Sequence, residues 1–296
     1  MSRTRLAYLG PEGTFGEQAA MLYAPDAERR AFPSHGAVAA AVQAGVADEG
    51  VLAVENSVEG SVAETVDILV HDRALQICGE LVLPIEQCLI VAPGRPAAAV
   101  SVVLSHSNAL GQCRRYLDRC FPGVRLEPTL STTAAVAEAM RRDDAAAIAS
   151  ARAAELLGGE VLARGIQDRG NNATRFVIVG TADARPSGDD KTSVAFTTHH
   201  DRPGSLVAVL EALAARGLNL TKIESRPSRD ALGVYVFLAD FQGHRLDPTV
   251  AAALEAVRER TQTLHVIGSY PRYTYPPTPS LAGEGSRTGT MPRDAH

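Results

Sequence analysis

The residues best suited to chemistry stand together in Asn171-Asn172-Ala173-Thr174-Arg175-Phe176, where a hydroxyl and a guanidinium meet at the start of an apolar run, Phe176-Val177-Ile178-Val179. Such a run predicts a buried strand, and a Thr-Arg pair at its first residues opens onto whatever lies beyond the strand end. A threonine hydroxyl can donate a hydrogen bond to a departing oxygen, and an arginine can hold a carboxylate through two parallel hydrogen bonds. The same pair also suits an ordinary solvated strand start. Its weight comes from the polar turns that accompany it.

Those turns recur where apolar runs stop. Leu6-Ala7-Tyr8-Leu9 leads into Gly10-Pro11-Glu12-Gly13-Thr14-Phe15, and Thr14 with Glu17 forms a capping box that opens a helix to about residue 23. Thr14 thus has two readings, as a helix cap and as a hydroxyl facing a ligand at a helix N-terminus. Val51-Leu52-Ala53-Val54 ends in Glu55-Asn56-Ser57, and a second box, Ser61 with Glu64, predicts a helix reaching about residue 71. Glu55, just past a buried strand, is a candidate for positioning a hydroxyl. Ser105-His106-Ser107-Asn108 and Ser131-Thr132-Thr133 likewise follow strands and precede helices. Ligands of α/β sheets bind beyond the carboxyl ends of the strands. A cleft of hydroxyls, amides and helix N-termini suits a small substrate that carries carboxylates and a hydroxyl group.

The elements that must hold these turns alternate strand, polar turn and helix with short connections, which is an α/β pattern. The turn cluster Pro93-Gly94-Arg95-Pro96 supports two lobes, the first at about residues 1–83 and 165–182 and the second at about 84–164. Residues 183–190 read as a linker. Residues 191–272 run in the order βαββαβ, a ferredoxin-like plait, and 273–296, rich in Pro, Gly, Ser and Thr, read as a disordered tail.

A chain of 296 residues, 45% hydrophobic and 21% charged, has room for two domains. Its formal net charge of -5 supplies no general field for nucleic acid or anionic lipid, so an anionic ligand must be held locally. Lys191 and Lys222 are the only lysines, arginine supplying the other basic groups, which reads as coding bias. Cys78, Cys88, Cys113 and Cys120 lack C-x-x-C spacing and a nearby histidine pair, which argues against zinc and against a disulfide framework. Free thiols, no signal-like N-terminus and no apolar stretch of about 20 residues predict a cytoplasmic protein.

Four segments, Gly10-Pro11-Glu12-Gly13-Thr14-Phe15, Val54-Glu55-Asn56-Ser57-Val58-Glu59-Gly60, Asn172-Ala173-Thr174-Arg175-Phe176 and Asn219-Leu220-Thr221-Lys222-Ile223-Glu224-Ser225-Arg226-Pro227, together resemble the prephenate dehydratases that carry a C-terminal ACT domain. The resemblance spans about residues 5 to 272. It implies a two-lobed catalytic domain like the periplasmic binding proteins, an ACT domain, and conversion of prephenate to phenylpyruvate, water and carbon dioxide in phenylalanine biosynthesis. No metal or organic cofactor is implied. Thr174 matches the family's catalytic threonine, and Glu55 is the alternative proton source. Thr14, Asn56, Ser57, Asn108, Ser131, Thr132, Arg175 and Phe176 are the expected substrate contacts. L-phenylalanine is the implied effector, bound between paired ACT domains with Gly204, Ser205 and Leu206 of one chain and Glu224, Ser225, Arg226 and Pro227 of the other around it, and with Asn219 and Leu220 also among the expected effector residues. Such pairing implies a homodimer or homotetramer.

The chain departs from the family pattern at three places. His106-Ser107-Asn108-Ala109-Leu110 stands where His-Pro-Gln-Ala-Leu is usual, Gly204-Ser205-Leu206 replaces Gly-Ala-Leu, and Gln87 occupies a position where histidine is common. Two rival readings remain. Arogenate dehydratase performs the same elimination on an amino acid instead of a keto acid, and a non-catalytic ligand sensor would share the architecture. Against the sensor stand the intact Thr174-Arg175-Phe176 and the lack of a DNA-binding helix-turn-helix.

Overall fold

The computed structural model describes residues 3–199, 202–228 and 234–273. The expected turn residue Asp201, part of the turn beyond Arg226 and most of the expected tail lie outside the described residues.

The first lobe is built from β1 (Arg5–Leu9), α1 (Phe15–Tyr23), β2 (Glu28–Phe32), α2 (His35–Gln43), β3 (Glu49–Asn56), β4 (Gly60–Ser61), α3 (Ala63–His71) and β5 (Gln76–Pro84). The chain then crosses into the second lobe. There it forms β6 (Cys88–Val91), β7 (Val102–Ser105), α4 (Ser107–Gln112), α5 (Arg114–Cys120), β8 (Arg125–Pro128), α6 (Thr132–Ala139), β9 (Ala145–Ala149), α7 (Ala151–Leu157) and β10 (Glu160–Ala163). β11 (Ala173–Gly180) returns to the first lobe. The plait follows as β12 (Asp190–Thr198), α8 (Ser205–Ala214), β13 (Leu220–Pro227), β14 (Tyr235–Gln242), α9 (Pro248–Arg258) and β15 (Thr261–Pro271), the βαββαβ order of an ACT domain.

The three sheets are ordered β2-β1-β3-β11-β5 with β4 on β3, β10-β6-β9-β7-β8, and β13-β14-β12-β15. Within this α/β pattern β11 runs antiparallel to both β3 and β5. The crossing explains it. The chain leaves lobe one at the end of β5 and re-enters at the start of β11, with Pro84 paired to Ala173, so the two strands must run in opposite directions. β2 gave no signal because Glu28-Arg29-Arg30-Ala31-Phe32 is a charged edge strand with no apolar run.

Apolar side chains cover both faces of each lobe's sheet. One face of the plait's sheet packs under α8 and α9 through Val194, Phe196 and Phe241. Its other face does not meet solvent. Ala195, Val236, Leu238, Ile267 and Tyr270 join the core of lobe one beside Leu69, Leu75 and Ile77. β15 approaches β5 so closely that a Cβ on Gly268 would overlap the Ile77 backbone, which only glycine permits. Among the described residues, no helix is long and apolar enough to cross a membrane.

Candidate functional site

The strand-end turns converge on a cleft of about 650 Å³ between the two lobes, within the size range of small-molecule sites. Its floor is apolar, with Val51, Ala53, Ile85 and Phe176, and Phe15 and Leu130 near the rim. Its walls carry the starts of α1 (Thr14, Gly16), α2 (Ser34, His35), α4 (His106, Asn108) and α6 (Ser131, Thr132). Helix N-termini present unpaired N–H groups and a partial positive charge. No lysine or arginine lines the cleft among the described residues. An anion held there therefore meets helix ends and neutral donors.

Thr174 lies near the start of β11, buried, with its side chain toward the cleft. Its hydroxyl oxygen accepts a hydrogen bond from Asn56 Nδ2 at 2.9 Å. The orientation of the Asn56 amide follows from its other end, because Asn56 Oδ1 accepts from the backbone N–H groups of Val58 at 2.9 Å and Glu59 at 3.1 Å. The NH₂ group must then face Thr174. With its oxygen engaged as an acceptor, the Thr174 hydroxyl keeps its own proton to donate. Among the described residues, no imidazole or carboxylate is hydrogen-bonded to it.

Several expected contacts meet at the cleft. Asn56, Asn108, Ser131, Thr132 and Phe176 all line it. Ser131 also caps α6, accepting from the Ala134 N–H at 3.0 Å. Thr14 lines the cleft, but its hydroxyl donates to the Leu9 carbonyl at 3.0 Å and accepts from the Glu17 N–H at 3.3 Å, so capping occupies it. The Gly13 N–H donates to Glu17 Oε2 at 2.7 Å, and the Gly13 carbonyl accepts from Ser150 Oγ at 3.0 Å, which ties this loop to lobe two. Gly13 has φ 85°, and a Cβ there would press on Thr133 and Ala153.

Three expected site residues face elsewhere. Successive residues of a strand point to opposite faces, so with Thr174 in the cleft Arg175 projects behind the sheet. There its Nε lies 2.7 Å from Glu80, Nη1 2.7 Å from Asp240 and Nη2 3.0 Å from the Tyr270 hydroxyl. The expected carboxylate clamp is not formed. Glu55 alternates with Asn56 in the same way, and its carboxylate accepts from Lys222 of the plait at 3.0 Å, away from the cleft. Ser57 is spent on the backbone, donating to the Asn171 carbonyl at 2.9 Å and accepting from the Ala173 N–H at 3.0 Å.

The residues behind the sheet form the junction between the domains. Glu80 is buried and accepts from Arg175, from Lys191 at 2.7 Å and from the Tyr273 N–H at 3.0 Å. Asp240 accepts from Ser193 at 2.6 Å as well as from Arg175. Burial works against the Asp240 charge, but Arg175, Ser193 and Lys191 outweigh it and hold the carboxyl below its ordinary range. Burial likewise opposes the Arg175 charge, and Asp240, Tyr270 and Glu80 together hold its pKa above the usual value. Both lysines of this arginine-rich chain sit in this junction, Lys191 on Glu80 and Lys222 on Glu55. The expected Ser61–Glu64 capping box does not form. Ser61 donates instead to Glu224 at 2.6 Å and accepts from Lys222 at 3.0 Å, while Glu64 accepts from the Gly36 N–H at 3.1 Å.

Of the expected effector residues, Gly204 caps α8 with φ 87°, followed by Ser205. Ser225 and Pro227 are exposed on β13, whereas Leu206 and Leu220 pack in the plait. Asn219 accepts the Gln242 N–H through its carbonyl at 3.0 Å. Glu224 and Arg226 point at lobe one, Glu224 to Ser61 and Arg226 Nη2 to Asp67 at 2.9 Å.

The cleft also holds residues that the sequence did not mark as site candidates: His35, Glu59, Glu64, Gln112 and Leu130. His35 is buried, which lowers its pKa despite the Glu64 carboxylate 3.3 Å from Nδ1. Gln112 stands four residues after Asn108 on α4, a spacing that shares a helix face and could have signalled it. Leu130, 98% exposed, precedes the cap of α6, and nothing in its surrounding sequence marked it.

The sequence profile of the prephenate dehydratase family matches residues 6–184, and that of the ACT domain matches residues 193–259. The chain is 41% identical over 282 residues to the prephenate dehydratase of Mycolicibacterium gilvum, spanning 90% of each protein. Among solved structures, the prephenate dehydratase of Arthrobacter aurescens in complex with L-Phe has a TM-score of 0.84 and 36% identity, covering 91% of this chain and 90% of that one. GqqA, described as a novel type of quorum quenching acylase, has a TM-score of 0.82 and 30% identity, covering 91% of this chain and 98% of that one.

Proposed function

The chain belongs to the prephenate dehydratase family, with an ACT domain following the catalytic domain, and its activity is the conversion of prephenate to phenylpyruvate; we propose that the Thr174 hydroxyl assists the step. In this reaction the bond between the ring and its carboxylate breaks, and the electron pair enters the ring. The ring hydroxyl departs with one proton as water, so that prephenate dianion and a proton give phenylpyruvate, carbon dioxide and water. Aromatisation supplies the driving force. The protein has to hold two carboxylates and stabilise the oxygen as it leaves.

The observation that carries the proposal is the Asn56 amide on the Thr174 oxygen, which leaves the hydroxyl proton free for the departing group. The starts of α1, α2 and α6 receive the carboxylates, with Ser131, Thr132 and Asn108 alongside. A nucleophilic role for Thr174, as an acyl-transfer reading of the fold would need, lacks support because no base touches the hydroxyl among the described residues. The test is phenylpyruvate formation from prephenate and from arogenate by the wild type and by Thr174→Val. We expect prephenate turnover, with a fall in kcat of about 10²–10³-fold in a folded variant. A variant as fast as the wild type removes Thr174 from the step, and turnover of arogenate alone transfers the enzyme to that substrate.

L-phenylalanine is the proposed effector, bound where two ACT domains pair. β13 is the edge strand of the plait, and Ile223 on it and Val207 on α8 are 42% and 54% exposed, an uncovered apolar margin beside Gly204. A homodimer or homotetramer would cover it. The four cysteines are free, which suits an enzyme working in the cytoplasm. Light scattering with and without phenylalanine, alongside inhibition of turnover, checks both statements.

A further inference from the structure

The amide that holds Thr174 is one member of a closed ring of hydrogen bonds. Asn56 Nδ2 donates to Asn172 Oδ1 at 2.9 Å. Asn172 Nδ2 donates to Gln112 Oε1 at 2.8 Å, and Gln112 Nε2 donates to Glu59 Oε1 at 2.8 Å. The Glu59 backbone N–H returns to Asn56 Oδ1 at 3.1 Å. Every member donates in the same sense around the ring, an arrangement in which each bond polarises the next.

The direction leaves no freedom. A carboxylate only accepts, so Gln112 must turn its NH₂ to Glu59 and its oxygen to Asn172. Asn172 must then turn its NH₂ to Gln112, and its oxygen receives Asn56. The Asn56 amide is thereby held from both sides with its NH₂ on Thr174.

Glu59 lies in lobe one, between β3 and β4, and Gln112 ends α4 of lobe two. The ring therefore closes only when the lobes stand together. The other Glu59 oxygen accepts from Asn108 Nδ2, also on α4, so the carboxylate engages two amides of the opposite lobe at once. Glu59 is exposed, so opening the contact exchanges these bonds for bonds to water at small net cost. This makes the contact a reversible clasp.

We propose that Glu59 and Gln112 are positioning residues: their clasp across the cleft, through Asn172 and Asn56, sets the Thr174 hydroxyl proton toward the substrate when the lobes close. The proposal rests on the reading of Thr174 as the group that assists departure of the ring hydroxyl. The Val58 and Glu59 N–H groups already turn the Asn56 NH₂ to Thr174 within lobe one; the clasp adds the hold through Asn172 from the other lobe, which tightens that arrangement as closure excludes water.

The test exchanges the two side chains. Gln112→Glu sets two carboxylates against each other, and Glu59→Gln offers one oxygen to two amide donors. Each single variant is expected to lower kcat roughly tenfold, the rate equivalent of one hydrogen bond of ordinary strength. In the double variant Glu59→Gln/Gln112→Glu, the amide at 59 donates to the carboxylate at 112 and still accepts from Asn108, while the carboxylate at 112 accepts from Asn172. kcat is expected to return to within about threefold of the wild type. Hydrogen exchange at the Val58 and Glu59 amides supplies a readout independent of turnover, faster in each single variant and restored in the double. Prephenate turnover by the wild type combined with unchanged kcat in both single variants overturns the clasp and leaves the Thr174 reading intact. Failure of the double variant to regain both kcat and protection also overturns it. If the wild type does not turn over prephenate, the Thr174 reading fails, and exchange alone decides whether the clasp exists.

Discussion

Arg175 Nη1 lies 2.7 Å from Asp240 Oδ2, a contact that joins the strand carrying Thr174 to the sheet of the ACT domain. Arg175 and Lys191 balance Glu80 and Asp240 in a buried group that Ser193 and Tyr270 complete. The residue next to the cleft hydroxyl is thus built into the regulatory domain. Its charge is offset by acids from both domains, because a buried guanidinium with no partner is costly.

Replacing Asp240 by Asn keeps the shape and removes one charge, leaving the buried Arg175 and Lys191 with a single buried carboxylate. Loss of one partner from a buried pair costs about 3–5 kcal/mol. Urea unfolding of D240N is expected to show a loss of that order. Tyr270→Phe removes the two hydrogen bonds of an uncharged hydroxyl, to Arg175 and Ser193, and should cost about 2 kcal/mol. Equal losses in the two variants would contradict the assignment of the charge balance to Asp240.

The junction also makes stability depend on pH with a defined sign. The Asp240 carboxyl is held below its ordinary range in the folded chain, so its contribution is fully present above the unfolded carboxylate value of about 3.9 and is lost as pH falls through the folded value. Acid titration of unfolding should therefore narrow the gap between wild type and D240N. A gap that widens with acidification would reverse the sign.

Glu55 lies behind β3 on Lys222, so removing its charge should spare the chemistry. For Glu55→Gln, kcat/KM with prephenate is expected to stay within about threefold of the wild type, far from the loss expected of Thr174→Val. A fall of 100-fold would restore Glu55 as the proton source.

Leu130 is 98% exposed at the rim of the cleft, next to the start of α6. A ring-bearing substrate seated there covers it, and burying a leucine side chain is worth about 1.5–3 kcal/mol. Leu130→Ala should raise KM about tenfold or more with kcat unchanged. An unaltered KM would leave the leucine outside the bound complex.

Much was legible from local patterns. The cap at Thr14 formed, its hydroxyl accepting the Glu17 N–H while the Glu17 carboxylate reaches one residue past the expected box to the Gly13 N–H, because a helix start needs its N–H groups paired, a requirement that involves only neighbouring residues. Thr174 reached the cleft for an equally local reason, since an apolar run with polar first residues is a buried strand with an open end. The Ser61–Glu64 box failed because Lys222 and Glu224, more than 150 residues away, offered Ser61 half-buried charged partners instead.

The opposite facing of Thr174 and Arg175, and of Asn56 and Glu55, also follows from sequence, because strand side chains alternate with a period of two. Read strictly, that alternation places one member of each pair in the cleft and the other behind the sheet. What waits behind the sheet is not local information. Burial of the second face came from the ACT domain folding back onto lobe one, which put Asp240, Tyr270 and Lys191 around Arg175. The ring through Asn56, Asn172, Gln112 and Glu59 likewise needed two lobes brought together. Local rules therefore settled which residues are polar at a strand end, and packing across a distance settled which of them face a substrate, because side-chain partners are chosen by proximity in space.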